Sequence, residues 1–158
     1  VSIDGKLRAL IETTSRVVEL CFAEFGTVAP TWFIIETDGN KLTIPGPSDD
    51  KETAVAMMRA LFELMPTQRY CHVVEAWIVS GKDAPELDHR ATARDVRRHP
   101  ARREIIMFSG EDANGCSLVA MRAIDRTQRK RAQLGPLTFA NRGSTRFMSL
   151  LPRATMLQ

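Results

Sequence analysis

Apolar residues recur at spacings of three and four through Ile3, Leu7, Leu10, Ile11, Val17, Val18, Cys21, Phe22 and Phe25. On an α-helix that period gathers into one broad apolar stripe, so the spacing predicts a helix over 3–25. Asp4 is placed to cap its start, and Gly26 can supply the left-handed residue that stops it. The period then changes. "TWFIIETDGNKLTI" sets two β-rich runs on either side of Asp38-Gly39-Asn40. Asp-Gly supplies the positive φ of a tight turn, which predicts a β-hairpin. Pro45 and Pro47 end it, since proline cannot donate to a ladder. A second helix is expected over 49–65. Asp49 and Glu52 sit at capping-box spacing, Val55, Met58, Leu61, Phe62 and Met65 mark a buried stripe, and Pro66 closes it.

"YCHVVEAWIVS", at 70–80, is apolar on both faces, as suits a strand in the middle of a sheet. Residues 81–101 are polar and lack a clean period, and they read as a long loop with a short helix at 85–97. "REIIMFSGEDANGCSLVAMRAID" predicts a second hairpin turning at 112–115. "LGPLTFA" follows as a short edge strand, and Ser144–Leu151 as a last helical turn or two with Phe147, Leu150 and Leu151 on one side. Tight turns between successive strands favour an antiparallel sheet. The expected fold is therefore a single α+β domain over 1–158, a two-layer sandwich. Two main amphipathic helices would cover one face of a mostly antiparallel sheet of five to six strands. Trp32, Ile34, Leu42 and Ile44 would pack one helix, and Ile106, Phe108, Leu118 and Ala120 the other. A polar loop at 81–101 and a C-terminal tail at 141–158 complete it.

Composition changes this picture little. The 158 residues are 44% hydrophobic and 26% charged, as in ordinary soluble domains. No apolar run reaches the ~18 residues of a membrane span, and no basic-then-apolar leader opens the chain. Cys21, Cys71 and Cys116 are odd in number and form no C-x-x-C pair, which suits buried, reduced thiols in a cytoplasmic protein. Charge adds more. Residues 1–80 carry 7 Lys+Arg and 11 Asp+Glu; residues 81–158 carry 15 and 8. The opposed halves predict either an anionic partner or pairing of two copies into a homodimer.

The basic excess is concentrated. In "RDVRRHPARREIIMF" five arginines fall within the first ten residues. Over 90–103, Arg90, Arg94, Arg97, Arg98, Arg102 and Arg103 face one acid, Asp95, and Arg126, Arg129, Lys130 and Arg131 follow the second hairpin. A turn centred near 113–114 puts Arg103 opposite about Asp125 and Arg102 opposite about Arg126. Both clusters then meet at the open end of the hairpin. Arg97, Arg98, Arg102, Arg103, Arg126, Arg129 and Arg131 are the expected partner-binding residues, for a protein or anionic ligand. Nucleic acid ranks behind these, because no aromatic is interleaved with the arginines and no nucleic-acid-binding signature is present. Glu104 and Asp125 can neutralise part of the patch.

Candidate chemistry is sparse. Glu75 lies between Val73 and Trp77, and Arg122 between Ala120 and Ile124, on the same strand faces as those apolar neighbours. A carboxylate there needs a partner, and a Glu75–Arg122 ion pair is the expected one. His72 points to the other face from Glu75 and reads as a core or interface histidine. His99, beside Arg98, could serve as a base. An alternative reading is a small hydrolase-type enzyme with a pocket near Glu75, His99 and Arg122. Asp83, Glu86, Asp88 and His89 match no metal spacing, and no phosphate-cradling or nucleophile-elbow motif occurs. No cofactor or metal is expected. The leading reading is a non-enzymatic binding or regulatory module that uses the basic patch, and the residues resemble no characterised family.

Overall fold

A computed structural model describes residues 3–79, 93–127, 131–140 and 150–152. Its first helix, α1 (Ile3–Phe25), has the expected bounds. Gly26 stops it at φ 69°, and the Gly26 amide donates to the Phe22 carbonyl at 2.8 Å. The hairpin β1 (Thr31–Glu36) and β2 (Lys41–Pro45) turns through Gly39 at φ 87°. Helix α2 (Lys51–Leu64) is capped by Asp50, whose carboxylate accepts the Thr53 amide at 2.8 Å, so the cap lies one residue beyond Asp49. There follow β3 (Thr67–Ile78), α3 (Ala93–Arg98), β4 (Arg103–Asp112), β5 (Ser117–Asp125), β6 (Gln133–Leu134) and β7 (Thr138–Phe139). Most of the expected 81–101 loop and of the 141–158 tail lies outside the described residues.

Among the described residues the strands form one seven-stranded antiparallel sheet in the order β2-β1-β3-β4-β5-β6, with β7 also on β5. It curls into a half-barrel, which overturns the expected flat two-layer sandwich of five to six strands. The register also shows why both helices cannot lie in one layer. Trp32 pairs with His72, while Phe108 pairs with Val73. His72 and Val73 are neighbours in one strand and point to opposite faces. The two sets of residues expected to pack helices therefore cannot share a side.

Each set does receive its helix. Leu7, Ile11, Val18 and Phe22 of α1 bury against Cys71, Val73, Ile106, Phe108 and Ala120. Met58 and Phe62 of α2 bury against Trp32, Ile34, Tyr70 and Val74 on the other face, joined by Leu150 and Leu151. None of the described helices is long and apolar enough to cross a membrane. Of the cysteines only Cys71 is buried, and burial pushes its thiol up to about 12; Cys21 is exposed and Cys116 half-buried, and all three are free.

The close approach of α1 depends on Gly110. A Cβ at that position would lie 3.0 Å from Leu7 Cδ1 and 3.0 Å from Ile11 Cδ1. Both methyls belong to fully buried side chains, which must give by a few tenths of an ångström to admit it. Gly110→Ala is expected to cost about 1–2 kcal/mol in urea denaturation, the range of modest overpacking. A variant as stable as the parent would show that α1 has room to spare.

Candidate functional site

The second hairpin turns where expected. Asp112 Oδ1 accepts the Asn114 and Cys116 amides at 2.9 and 3.0 Å, and Gly115 takes φ 83°. The ladder pairs Ile105 with Ala123. The β4–β5 pairing ends there, and beyond it the Arg126 side chain reaches back to Glu104 on β4. The open end of the hairpin thus collects basic residues from both strands.

Their roles there differ. Arg126 is engaged inside the protein: its guanidinium meets both Glu104 carboxylate oxygens at 2.8 and 2.9 Å, donates to the Gly26 carbonyl at 3.0 Å and lies 3.8 Å from Glu75. It fastens the end of α1 to the sheet. Arg102 lies 5.4 Å from the centre of the Trp77 ring and donates to the His99 carbonyl at 3.2 Å. Arg97 and Arg98 stand exposed in the last turn of α3. Arg103 and Arg131 are exposed, and Arg129 lies outside the described residues.

Trp77 is the residue that linear reading missed. It sits far from the arginines in sequence, and the pairing of Trp77 with Glu104 brings it among them. Trp77 is 40% exposed, so the patch has an aromatic residue at its surface after all. The signal was the two-faced β3 itself, whose pairing with the following hairpin fixes what lies beside Arg102.

Glu75 and Arg122 occupy one row, each opposite Ile106, on the face that α1 covers. Two strand spacings of about 4.8 Å separate them, and each has other partners. Arg122, 8% exposed, donates to the Gly135 carbonyl at 2.7 Å, to Ser15 at 3.4 Å and to Glu19 at 3.2 Å. Hydrogen bonding and charge from Arg122 hold the Glu19 carboxyl below its ordinary value. Glu75 accepts from Thr27 Oγ1 at 2.9 Å and from the Val28 amide at 2.7 Å, tying down the chain between α1 and β1. The expected Glu75–Arg122 pair is replaced by Glu19–Arg122 and Glu75–Arg126.

A cavity of about 260 Å3 lies beside Glu75, lined also by Lys51, Trp77, Val96, Arg97 and Glu104. Neither His99 nor Arg122 lines it. The His99 Nδ1 instead accepts the Ala101 amide at 3.1 Å within a turn. The three residues of the hydrolase reading are therefore not gathered around this cavity. Among the described residues no group of three or more His, Cys, Asp or Glu is placed to hold a metal ion; Asp83, Glu86, Asp88 and His89 lie outside them. This end of the sheet carries exposed guanidinium groups, an indole face, and the Glu75 and Glu104 carboxylates that meet Arg126. Comparison of the chain with family models, curated proteins and solved structures gives no match.

Proposed function

We propose that the chain is a non-enzymatic binding module that presents its arginine-bearing sheet end to an acidic protein segment. The division among the arginines supports this most. Arg122 and Arg126 are held by internal carboxylates. Arg97 and Arg98 are exposed and have no acid within ion-pair distance among the described residues. Exposed arginine forks match carboxylates in two-pronged fashion. In the same reading the protein acts in the cytoplasm, and two copies pair through their acidic and basic halves.

Nucleic acid is the second reading, favoured by one observation. The ring of the half-exposed Trp77, beside Arg102, can stack a base. Fluorescence anisotropy separates the two. A labelled oligoglutamate peptide, single-stranded oligouridine and duplex DNA would each be titrated at low and near-physiological salt. The acidic peptide is expected to bind, to weaken as salt rises, and to weaken at least about tenfold in the Arg97→Glu/Arg98→Glu variant with an unchanged melting temperature. Oligouridine binding that disappears in Trp77→Ala would transfer the site to nucleic acid. No binding of any probe at low salt would remove the reading.

A further inference from the structure

On its face of the sheet α1 lies over β3, β4 and β5. Among the described residues no helix covers the same face of the β1–β2 hairpin, and the strip between it and α1 forms a groove of about 720 Å3. That volume falls in the ~300–1,000 Å3 range of small-ligand sites. One wall is a single line along α1: Lys6, Leu10, Thr13 and Val17, at spacings of three and four. The floor is Phe33 and Ile35, with Thr43 and Lys41 beside them on β2. Val17 is 41% exposed, a large apolar side chain left in solvent along the groove wall.

The charge in the groove is one-sided. Lys6, Lys41 and Arg69 line it, and among the described residues no acid does, although this half of the chain carries an excess of acids. The cations also gather at one end. Arg69, Ile35 and Lys41 form one row across β3, β1 and β2. Lys6 precedes Leu7, which packs over Gly110, and Gly110 pairs with Cys71 in the row next to Arg69 on that face. The acid opposite Arg69 on β4 is Asp112, whose Oδ1 is taken by the Asn114 and Cys116 amides. The Arg69 Nε is buried and has no hydrogen-bond partner, although buried donors are nearly always satisfied. From Lys6 to Val17 the helix rises about 16 Å, and the wall changes from cationic to apolar along that length.

We infer that this groove binds an amphipathic monoanion, a carboxylate on an unbranched apolar tail. Its head meets Lys6, Lys41 and Arg69, and its tail lies along Leu10, Phe33, Ile35 and Val17. The site is separate from the arginine-bearing end, so the two readings stand or fall independently.

The test is isothermal titration of the full chain with decanoate below its micelle concentration, with decanol as the neutral counterpart. Decanoate is expected to bind one to one and at least about tenfold more tightly than decanol, the scale of a charge-assisted contact. Lys41→Glu, on the exposed edge strand, is expected to weaken decanoate at least about tenfold, and Val17→Asp, at the tail end, by a similar factor. Both variants should melt as the parent does, and Arg97→Glu/Arg98→Glu should bind decanoate normally. Equal affinity for decanol, indifference to Lys41→Glu, or no decanoate binding would each overturn the inference. Tailless oligoglutamate competing for the groove in a Lys41-dependent way would overturn the assignment of the apolar floor to a tail.

Discussion

Replacing Glu111 by Ala is expected to destabilise the protein by about 3–5 kcal/mol, because two buried donors lose their acceptor at once. Glu111 is 7% exposed, and its Oε2 accepts the Tyr70 hydroxyl at 2.7 Å and the Leu150 amide at 2.8 Å. Tyr70 is fully buried, stacked at 5.0 Å on Phe62 and tilted at 5.4 Å against Trp32. Burial first, and then the Glu111 carboxylate, pushes its phenol well above the ordinary value, so the hydroxyl remains a donor. The Leu150 contact matters as much. It holds Leu150 and Leu151 in the core that α2 shares with β1 and β3. Losing that anchor exposes leucines whose burial is worth about 1.5–3 kcal/mol each. Tyr70→Phe removes one donor and keeps the other bond, so it should cost less, about 1–2 kcal/mol. Urea denaturation of the two variants checks the order. A Glu111→Ala variant within 1 kcal/mol of the parent would mean that the network does not hold the C-terminal segment to the sheet.

The sheet shows where linear reading succeeds and where it stops. Helical period fixed α1, and the hairpin turns fixed the antiparallel pairing of β1 with β2 and of β4 with β5. Local chemistry decides both features, so both were legible. The layer arrangement was legible too, but in a different place. Tyr70, His72 and Val74 alternate with Cys71 and Val73 in β3, and all five are buried. A strand apolar on both faces at the centre of a sheet needs cover on both faces. Two amphipathic helices beside such a strand must therefore divide between the faces, and the two-layer expectation conflicted with that signal.

Partner choice among charged residues was not legible. Glu19 lies on an exposed stretch of α1 and carries no mark that it meets Arg122, far along the chain on β5. Nor does Glu104 announce that it will take both prongs of Arg126. Such pairs follow from how helix and sheet are superposed, which no periodicity encodes. The groove beside α1 has the same origin. Among the described residues it exists because α1 lies over β3–β5 and not over the β1–β2 hairpin, while the spacing of Lys6, Leu10 and Val17 alone reads only as the margin of an amphipathic helix.

The other large effect concerns acid. His72 is 2% exposed, its ring 4.2 Å from that of Trp32, and burial, with a smaller contribution from the Lys51 charge, holds its pKa down to about 3. In the unfolded chain the imidazole returns to its ordinary value of 6.5. Below pH 6.5 the unfolded state therefore takes up a proton that the folded state refuses, and stability falls as pH falls. Above pH 6.5 both states hold it neutral, and the effect vanishes. Between pH 7 and pH 5 the loss from this one residue is about 2 kcal/mol, rising to about 4–5 kcal/mol by pH 3. Glu19, Asp50 and Asp125, all held below ordinary carboxylate values of 4.5, 3.8 and 3.8, withdraw their contributions only at lower pH. Among the described groups with shifted values, His72 is thus the one whose contribution changes between pH 6.5 and 5. Urea denaturation at pH 7 and pH 5 should show the parent losing about 2 kcal/mol and His72→Gln less than half of that. An equal loss in both proteins would assign the acid sensitivity to another group and leave His72 an imidazole that the folded protein can protonate.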